Sequence, residues 1–195
     1  MPNPKDTRAT IRREACRLFA ERGYAAVSMR DLADAVGVRQ SGLYNHFKSK
    51  QALLVDLMAS HMEVLLQVLD GVMAGVTNPI ARLEAFVQLH VSYHLDYPED
   101  VFLAYMEIRS LEADGRDRVI ALRDRYEDVL RGILEDGVAA GDFQIADAAV
   151  HTRMLLSMLT GATVWFRAGG RLSRDDVVAC HLQAALQGVG LAGKT

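Results

Sequence analysis

The segment from Val27 to Leu53 constrains the fold more than any other part of the 195-residue chain. It has the pattern of two short helices joined by a tight turn and followed by a long helix. Ser28 can cap the first helix, with Asp31 three residues later as its partner in a capping box. Gly37 stands where a helix commonly ends in a left-handed residue. The segment therefore predicts a helix-turn-helix.

The second helix of this pattern, predicted over residues 40–46, suits the major groove of DNA. Leu43 and Phe47 face inward, so polar and aromatic side chains face outward, with cations at both ends. Amides and hydroxyls can contact base edges, while Lys and Arg bind phosphates. We expect base contacts from Arg39, Gln40, Ser41 and Asn45. We expect backbone contacts from Ser28, Arg30, Tyr44, Lys48 and Lys50. The predicted DNA surface also includes His46.

The sequence around the motif resembles the tetracycline-repressor (TetR) family. The likeness covers roughly residues 8–55 and is carried by Leu18-Phe19, Gly23-Tyr24, Ala35-Val36-Gly37-Val38, Leu43-Tyr44, His46-Phe47, Ser49-Lys50 and Leu53. An ordinary amphipathic hairpin would share the bare pattern, but not so many positions in order. Arg39 departs from the family, which usually has a small capping residue there. The resemblance implies an all-α, nine-helix fold with a three-helix DNA-binding head and a helical domain for ligand binding and dimerisation.

Charge is distributed unevenly along the chain. Residues 1–55 contain ten of the 22 Lys and Arg but only five of the 25 Asp and Glu, which gives +5 there and −8 in the remainder. A cationic surface confined to the motif segment is expected of a DNA-binding head. We therefore predict a DNA-binding domain at residues 1–55, with the motif at about 28–47, and an effector-binding and dimerisation domain at residues 56–195.

Apolar residues at helical spacing predict six helices after the head. The fourth helix is expected over about 49–74. The fifth begins at Pro79, with Asn78 as its cap, and ends near Asp96. Asp114-Gly115 is expected to break the chain after the sixth helix. The predicted bounds of the later helices are about 98–113, 116–140, 146–168 and 174–189.

Several classes of protein are excluded by what the sequence contains. Half of the residues are hydrophobic, but they form neither a signal peptide nor an apolar run of ~20 residues. Cys16 and Cys180 lie far apart on apolar helix faces, which indicates reduced core thiols in a cytoplasmic protein. The sequence has neither a Gly-rich phosphate loop nor a nucleophile elbow, so we expect no enzyme and no cofactor.

The sequence indicates the effector site less clearly than the DNA-binding surface. His90 and His94 lie one turn apart on an apolar stripe, where they fit core histidines, polar groups of a mostly apolar pocket or a metal pair. A metal is disfavoured because no Cys or carboxylate at suitable spacing joins them. The predicted pocket residues are His90, His94, Tyr97, Met106, Met158 and Trp165. The stretch from Glu107 to Asp142 is similar to TetR-type repressors of fatty-acid and steroid-ring breakdown, which implies an acyl-CoA or similar amphipathic ligand.

These features predict a ligand-responsive transcriptional regulator, a repressor released from a palindromic operator by a small molecule. The alternative is a constitutive DNA-binding protein without an effector. The last two helices carry more apolar surface than a monomer needs, so we expect a homodimer in which they form a four-helix bundle.

Overall fold

The described chain is built from α-helices, which confirms the predicted all-α class. The computed structural model describes residues 4–191, which contain no β-strand; the first residues of the polar N-terminal segment and the last four of the predicted second domain lie outside that range. A short 3-10 helix, Ile108–Ser110, follows the sixth helix. The α-helices are α1 Pro4–Arg22, α2 Met29–Val36, α3 Gln40–Tyr44, α4 Lys50–Met73, α5 Pro79–Asp96, α6 Pro98–Met106, α7 Ala113–Ala139, α8 Ala148–Thr160, α9 Ala162–Trp165 and α10 Arg174–Gly188.

The predicted nine-helix order is confirmed over residues 4–191, with α8 and α9 together in place of one predicted helix. Gly161 separates the two but keeps helical dihedral angles, so they form one interrupted run. That run ends at Trp165, three residues earlier than expected, because Phe166 has extended backbone.

The sequence was misread at the start of α7. The predicted break at Asp114-Gly115 is wrong, because both residues lie in the first turn of α7. A Cβ at Gly115 would lie 2.4 Å from Cγ2 of Val55, so this glycine permits close packing on α4 and does not end a helix. Asp114 suits a first turn, where the helix dipole favours negative charge. The break lies earlier, after α6 ends at Met106.

Helix ends follow the capping chemistry expected from the sequence. The Asp31 N–H donates to Ser28 Oγ (3.2 Å), and the Ser28 N–H donates to Asp31 Oδ2 (2.8 Å). The Ser28 hydroxyl also donates to Asp31 Oδ2 (2.6 Å), and this bond, followed by the one from the Ser28 N–H, holds the pKa of Asp31 below its usual value. Asn78 Oδ1 accepts from the N–H of Ala81 (3.0 Å). The predicted caps of α2 and α5 are therefore confirmed.

The described chain forms two compact units. The first extends to Glu63 and includes Glu99–Leu122, and the second comprises Val64–Pro98 and the residues from Arg123 onward. Leu103 and Val119 belong to the same buried cluster as the side chains of α1 to α4. The predicted functional division at residue 55 stays a prediction, but packing joins α6 and the start of α7 to the DNA-binding head.

Helix α4 contributes residues to both units. Its mean hydropathy reaches 1.6 over 18 residues, enough for a membrane span by length and composition, but 56% of that window is buried inside the protein. The core helix of a soluble protein has the same properties. The apolar character of α4 is therefore accounted for by the protein core.

The second unit is organised around α5. This helix buries one stripe of its surface and packs against α8, α9 and α10. The two cysteines fall in different environments: Cys16, in the first unit, is buried, but Cys180 is exposed. The expectation of a core thiol is therefore wrong for Cys180, because it lies on the exposed part of α10, whereas Val177 and Ala185 are the buried residues of this helix.

Candidate functional site

Helices α2 and α3 form the predicted helix-turn-helix. Gly37 ends α2 with a left-handed backbone, φ 75°, a conformation that costs a glycine little. The Val38 N–H then donates to Ala33 O (3.0 Å) and tightens the turn. Leu32 and Leu43 are both fully buried, one from each helix. The core beneath the motif therefore fixes the angle at which α3 is presented.

The outer surface of α3 is polar and accessible. Tyr44 is 46% exposed, and His46 beside it is half-buried. Leu43 and Phe47 point into the core, so the side chains between and beside them face solvent. The predicted DNA-contacting residues that the structure leaves exposed are Ser28, Arg30, Arg39, Gln40, Ser41, Tyr44, Asn45 and Lys48. This surface presents amides, hydroxyls and cations together, as a base-reading helix requires.

Arg39 lies directly before the recognition helix α3, at the capping position that the sequence predicted for it. It is the N-cap of α3, and within the described chain its side chain makes no capping hydrogen bond. The exposed guanidinium is thus available to a phosphate or a base edge, and α3 has a weak N-terminus for a helix of five residues. An arginine in place of the family's usual small capping residue thus leaves the recognition helix without a side-chain cap.

Lys50 has structural contacts that the sequence did not reveal. Its Nζ donates to the carbonyl oxygens of Tyr24 and Val27, both at 2.8 Å, and lies 4.1 Å from the centre of the Tyr24 ring. Burial lowers the pKa of Lys50, and the nearby Glu107 carboxylate opposes this. Its phosphate contact stays a prediction, since these two carbonyls already engage its ammonium group.

Residues 107–112 contact the head at points that sequence reasoning missed entirely. Glu107 Oε1 accepts from the Tyr24 N–H at 3.1 Å. Gln51 Nε2 donates to the Ser110 carbonyl at 2.6 Å, and Gln51 Oε1 accepts from the Glu112 N–H at 3.2 Å. Each pair is about 60 or more residues apart in sequence, so no local pattern marks them.

In the second unit, His90 and His94 lie together in the core. Their rings stack with centroids 3.7 Å apart. Nδ1 of His90 lies 3.0 Å from the Tyr126 hydroxyl, and Nε2 lies 3.1 Å from the Thr160 hydroxyl. Burial lowers the pKa of His90 well below its usual value, and the neighbouring His94 and His181 lower it further. His90 is therefore a neutral imidazole with both nitrogens hydrogen-bonded within the protein.

The other predicted pocket residues are spread over the surface. Tyr97, Met106 and Trp165 are 48%, 56% and 51% exposed. The Tyr97 ring packs against Tyr93, and Trp165 stacks on His181. Met158 is half-buried, and Met106 belongs to the first unit. The structure thus brings His90 and His94 together, while the pocket as a set stays a prediction.

Metal binding was one of three interpretations of this histidine pair. Across residues 4–191, no group of three or more His, Cys, Asp or Glu side chains could hold a metal ion. The hydrogen bonds of His90 to Tyr126 and Thr160 are those of a core histidine, which was another of the three interpretations. A polar group of a ligand pocket was the third, and the bonded nitrogens of His90 would then have to exchange partners when the ligand enters.

The outer face of α10 forms an apolar groove of about 610 Å³. Its lining residues are Ala179, Leu182, Gln183, Leu186, Gln187, Gly190 and Leu191. Met154 on α8 and Val164 on α9 are also exposed apolar residues. Part of the apolar surface that the sequence assigned to the dimer is instead buried within its own chain, namely at Leu155, Leu159, Ala162, Val177 and Ala185. An unpartnered apolar face nevertheless remains on α10.

A basic helix-turn-helix head followed by a helical second unit defines a DNA-binding regulator. The chain belongs to the TetR family: residues 11–57 match the model for bacterial regulatory proteins of the tetR family, and residues 76–189 match the tetracyclin repressor-like C-terminal domain. It is a ligand-responsive transcriptional repressor, and not an enzyme. Repressors of this family bind operator DNA, typically as dimers, and respond to small-molecule effectors.

Similar proteins include the HTH-type transcriptional repressor KstR2 of Rhodococcus jostii strain RHA1, which is 31% identical and aligns over 90% of this chain and 87% of its own length. The TetR family regulator PfmR from Thermus thermophilus superposes with a TM-score of 0.83 at 35% identity, covering 92% of this chain and 98% of that one. AibR, solved with isovaleryl coenzyme A and operator DNA, has a TM-score of 0.85 at 24% identity, covering 91% and 97%. At this identity, the likeness to AibR shows the fold alone.

Proposed function

We propose that this repressor acts in the cytoplasm as a homodimer on a roughly palindromic operator, and that an acyl-CoA thioester or a similar amphipathic ligand releases it. The observation that carries the DNA-binding part is the outer surface of α3. Its exposed polar side chains are held over a buried Leu43 and Phe47, so that a rigid core presents them. Each protomer places α3 in one major groove, and the half-sites lie one or more helical turns apart.

The side chains of this surface have separate roles. Gln40 and Asn45 carry amides that can form paired hydrogen bonds with an adenine edge, and Arg39 and Ser41 contact bases beside them. Lys48 is exposed and binds phosphate. Loss of a bidentate base contact costs about 1–3 kcal/mol and changes the preferred base, whereas loss of a phosphate contact weakens binding on all sequences.

Two observations support an acyl-CoA ligand. The stretch from Glu107 to Asp142 is similar to thioester-responsive repressors, and AibR binds isovaleryl coenzyme A on the same fold. A ligand can release DNA only if it binds better to a conformation that fits the operator poorly. The operator must then weaken ligand binding by the same factor, ordinarily ~5–150-fold.

One experiment tests both parts. An operator is first selected in vitro from random DNA with the wild-type dimer, and binding is followed by fluorescence anisotropy. Acyl-CoAs of short, medium and long chain are then titrated while operator retention and tryptophan emission are recorded. Trp165 is the only tryptophan of the chain, so its emission reports on a single position.

The two parts can fail separately. Selection of a palindrome, followed by its release by one chain length with a change in Trp165 emission, is the expected result. Selection without any response to the thioesters would overturn the ligand class and leave DNA binding in place. If no sequence is enriched, the proposed operator binding is wrong. Gln40→Ala and Lys48→Ala, read on the selected site, then separate base contacts from phosphate contacts.

A further inference from the structure

The turn that joins α1 to α2, residues 23–27, is held through both backbone groups of one residue, Tyr24. The Tyr24 N–H donates to Glu107 Oε1 at 3.1 Å, and the Tyr24 carbonyl accepts from Lys50 Nζ at 2.8 Å. Lys50 Nζ also donates to the carbonyl of Val27, at the end of the turn, at 2.8 Å. Helix α2 begins two residues later, at Met29, so the helix-turn-helix must follow any movement of this turn.

Glu107 connects this turn to the segment after α6. Its second oxygen, Oε2, accepts from the Ser110 hydroxyl at 2.6 Å, so one carboxylate links the turn to the 3-10 helix. Its negative charge also attracts the Lys50 ammonium, as the opposing effect on the pKa of Lys50 indicates. Glu107 therefore acts on Tyr24 directly through the N–H and indirectly through Lys50.

Gln51 makes the complementary connection from α4. Its amide N–H donates to the Ser110 carbonyl at 2.6 Å, and its amide oxygen accepts from the Glu112 N–H at 3.2 Å. Burial raises the pKa of Tyr24, and the neighbouring Gln51 side chain opposes this. A single glutamine thus fixes the start of α4 to both ends of the short connection that leads into α7.

We infer that Glu107 and Gln51 are positioning residues that set the orientation of the DNA-reading head on the 107–112 segment, and thereby the operator half-site spacing that the dimer accepts. Neither residue lies on the outer surface of α3, so base preference is independent of them. These hydrogen bonds are directional and have fixed partners in the α1–α2 turn and in the 107–112 segment, which makes the orientation of the head specific. This inference rests on the proposed dimeric operator binding.

The test uses the full-length dimer and the operator selected with the wild-type protein, together with spacers lengthened or shortened by one and two base pairs. Glu107→Ala and Gln51→Ala should each reduce the affinity ratio between the best and the neighbouring spacings by roughly tenfold, a coupling of ordinary size. Glu107→Gln keeps an acceptor for the Tyr24 N–H and should recover part of the ratio. All three should retain the wild-type preference for bases at each half-site.

Glu112→Gln is the matched control. It removes the same charge from the same segment, but the Glu112 side chain is exposed and only its backbone N–H meets Gln51. It should keep the wild-type spacing ratio. Thermal unfolding identifies a variant that fails to fold; if Glu107→Ala does so, Gln51→Ala and Glu107→Gln, which keeps an acceptor for the Tyr24 N–H, decide the question.

Different failures have different meanings. If the variants bind every spacing more weakly by one common factor, the two residues have only a structural role and the inference is overturned. The same conclusion follows if Glu112→Gln changes the ratio as much as Glu107→Ala. If the wild-type protein enriches no DNA, operator binding itself is wrong and the inference falls with it.

Discussion

Lys48 and Lys50 are two residues apart, yet the structure gives their ammonium groups different surroundings. Lys48 is exposed, whereas Lys50 donates to two carbonyls of the α1–α2 turn. We expect Lys50→Met to lower the free energy of unfolding by about 1–2 kcal/mol, because hydrogen bonds from a charged donor are lost and the carbonyls are left unpaired. Lys48→Met should leave stability unchanged.

Urea denaturation of the two variants measures the difference in stability, and the salt dependence of operator binding measures the charge effect. Lys48→Met should lower the slope of log affinity against log salt by about one. Equal loss of stability in both variants would contradict the structural role of Lys50. A reduced slope for Lys50→Met as well would support the phosphate contact predicted from the sequence.

His90 predicts how stability depends on pH. Its pKa is lowered in the folded protein, first by burial and then by His94 and His181. The ordinary His pKa of about 6.5 applies in the unfolded chain. Below that pH, His90 therefore binds a proton in the unfolded chain more readily than in the folded protein. This contribution to stability is complete above pH ~6.5 and is lost as the pH falls below it, at up to about 1.4 kcal/mol per pH unit.

The variant His90→Gln isolates this effect, because glutamine can hydrogen-bond Tyr126 or Thr160 but does not titrate. We expect its unfolding temperature to fall less steeply than that of the wild type between pH 7 and pH 5. Parallel curves for His90→Gln and the wild type would show that another group is responsible.

At the scale of single elements, two glycines of α7 offer a direct comparison. A Cβ at Gly137 would lie 2.0 Å from the Phe143 ring, whereas one at Gly132 would meet no described atom within 4 Å. Gly137→Ala should destabilise the protein by about 1–3 kcal/mol, because the ring must be displaced from a packed position. Gly132→Ala should stabilise it by roughly 0.5–1 kcal/mol through helix propensity.

Chemical denaturation of both variants decides this comparison, since the two substitutions are the same change on the same helix. Equal effects would mean that the Phe143 ring moves away at little cost. The pair also illustrates a limit of sequence reading. Both residues have the same helical context in the sequence, and only the path of the chain after α7 makes one of them indispensable.

Helix ends were predictable where their chemistry is local. The caps at Ser28 and Asn78 bond to residues three positions later, so the sequence contains both partners. Gly115 was misread because its role depends on Val55, a residue on another helix. A glycine that ends a helix and a glycine that lets two helices approach look the same in sequence, and tertiary packing decides between them.

At the scale of the whole molecule, the fold and the exposed polar face of α3 could be predicted because the motif is contiguous. The outward side chains of α3 follow from the buried positions of Leu43 and Phe47 alone. The effector region could not be predicted in the same way, because its residues come from several helices and any apolar stripe fits both core and pocket. The contacts of Glu107 and Gln51 were missed for the related reason that backbone groups are their main partners.

Dimerisation is the property on which operator recognition depends, and α10 makes it testable. Leu186 lines the apolar groove on the outer face of α10. Across a two-fold axis this groove would be buried in both protomers, so Leu186→Glu would place two unpaired carboxylates in one interface. Since burying an unpaired charge costs several kcal/mol, we expect the dimer dissociation constant to rise by roughly 100-fold or more.

Sedimentation velocity over a range of protein concentrations measures this change, and circular dichroism shows whether the helices persist. Val138→Glu provides the control, because Val138 is an exposed apolar residue of the same unit on α7 and does not line the groove. It should sediment as the wild type does. Operator affinity should fall in parallel with the dimer for Leu186→Glu, since a single head contacts only half of a palindromic site and loses the gain of two linked heads. A dimeric Leu186→Glu variant would place the subunit interface elsewhere on the protein.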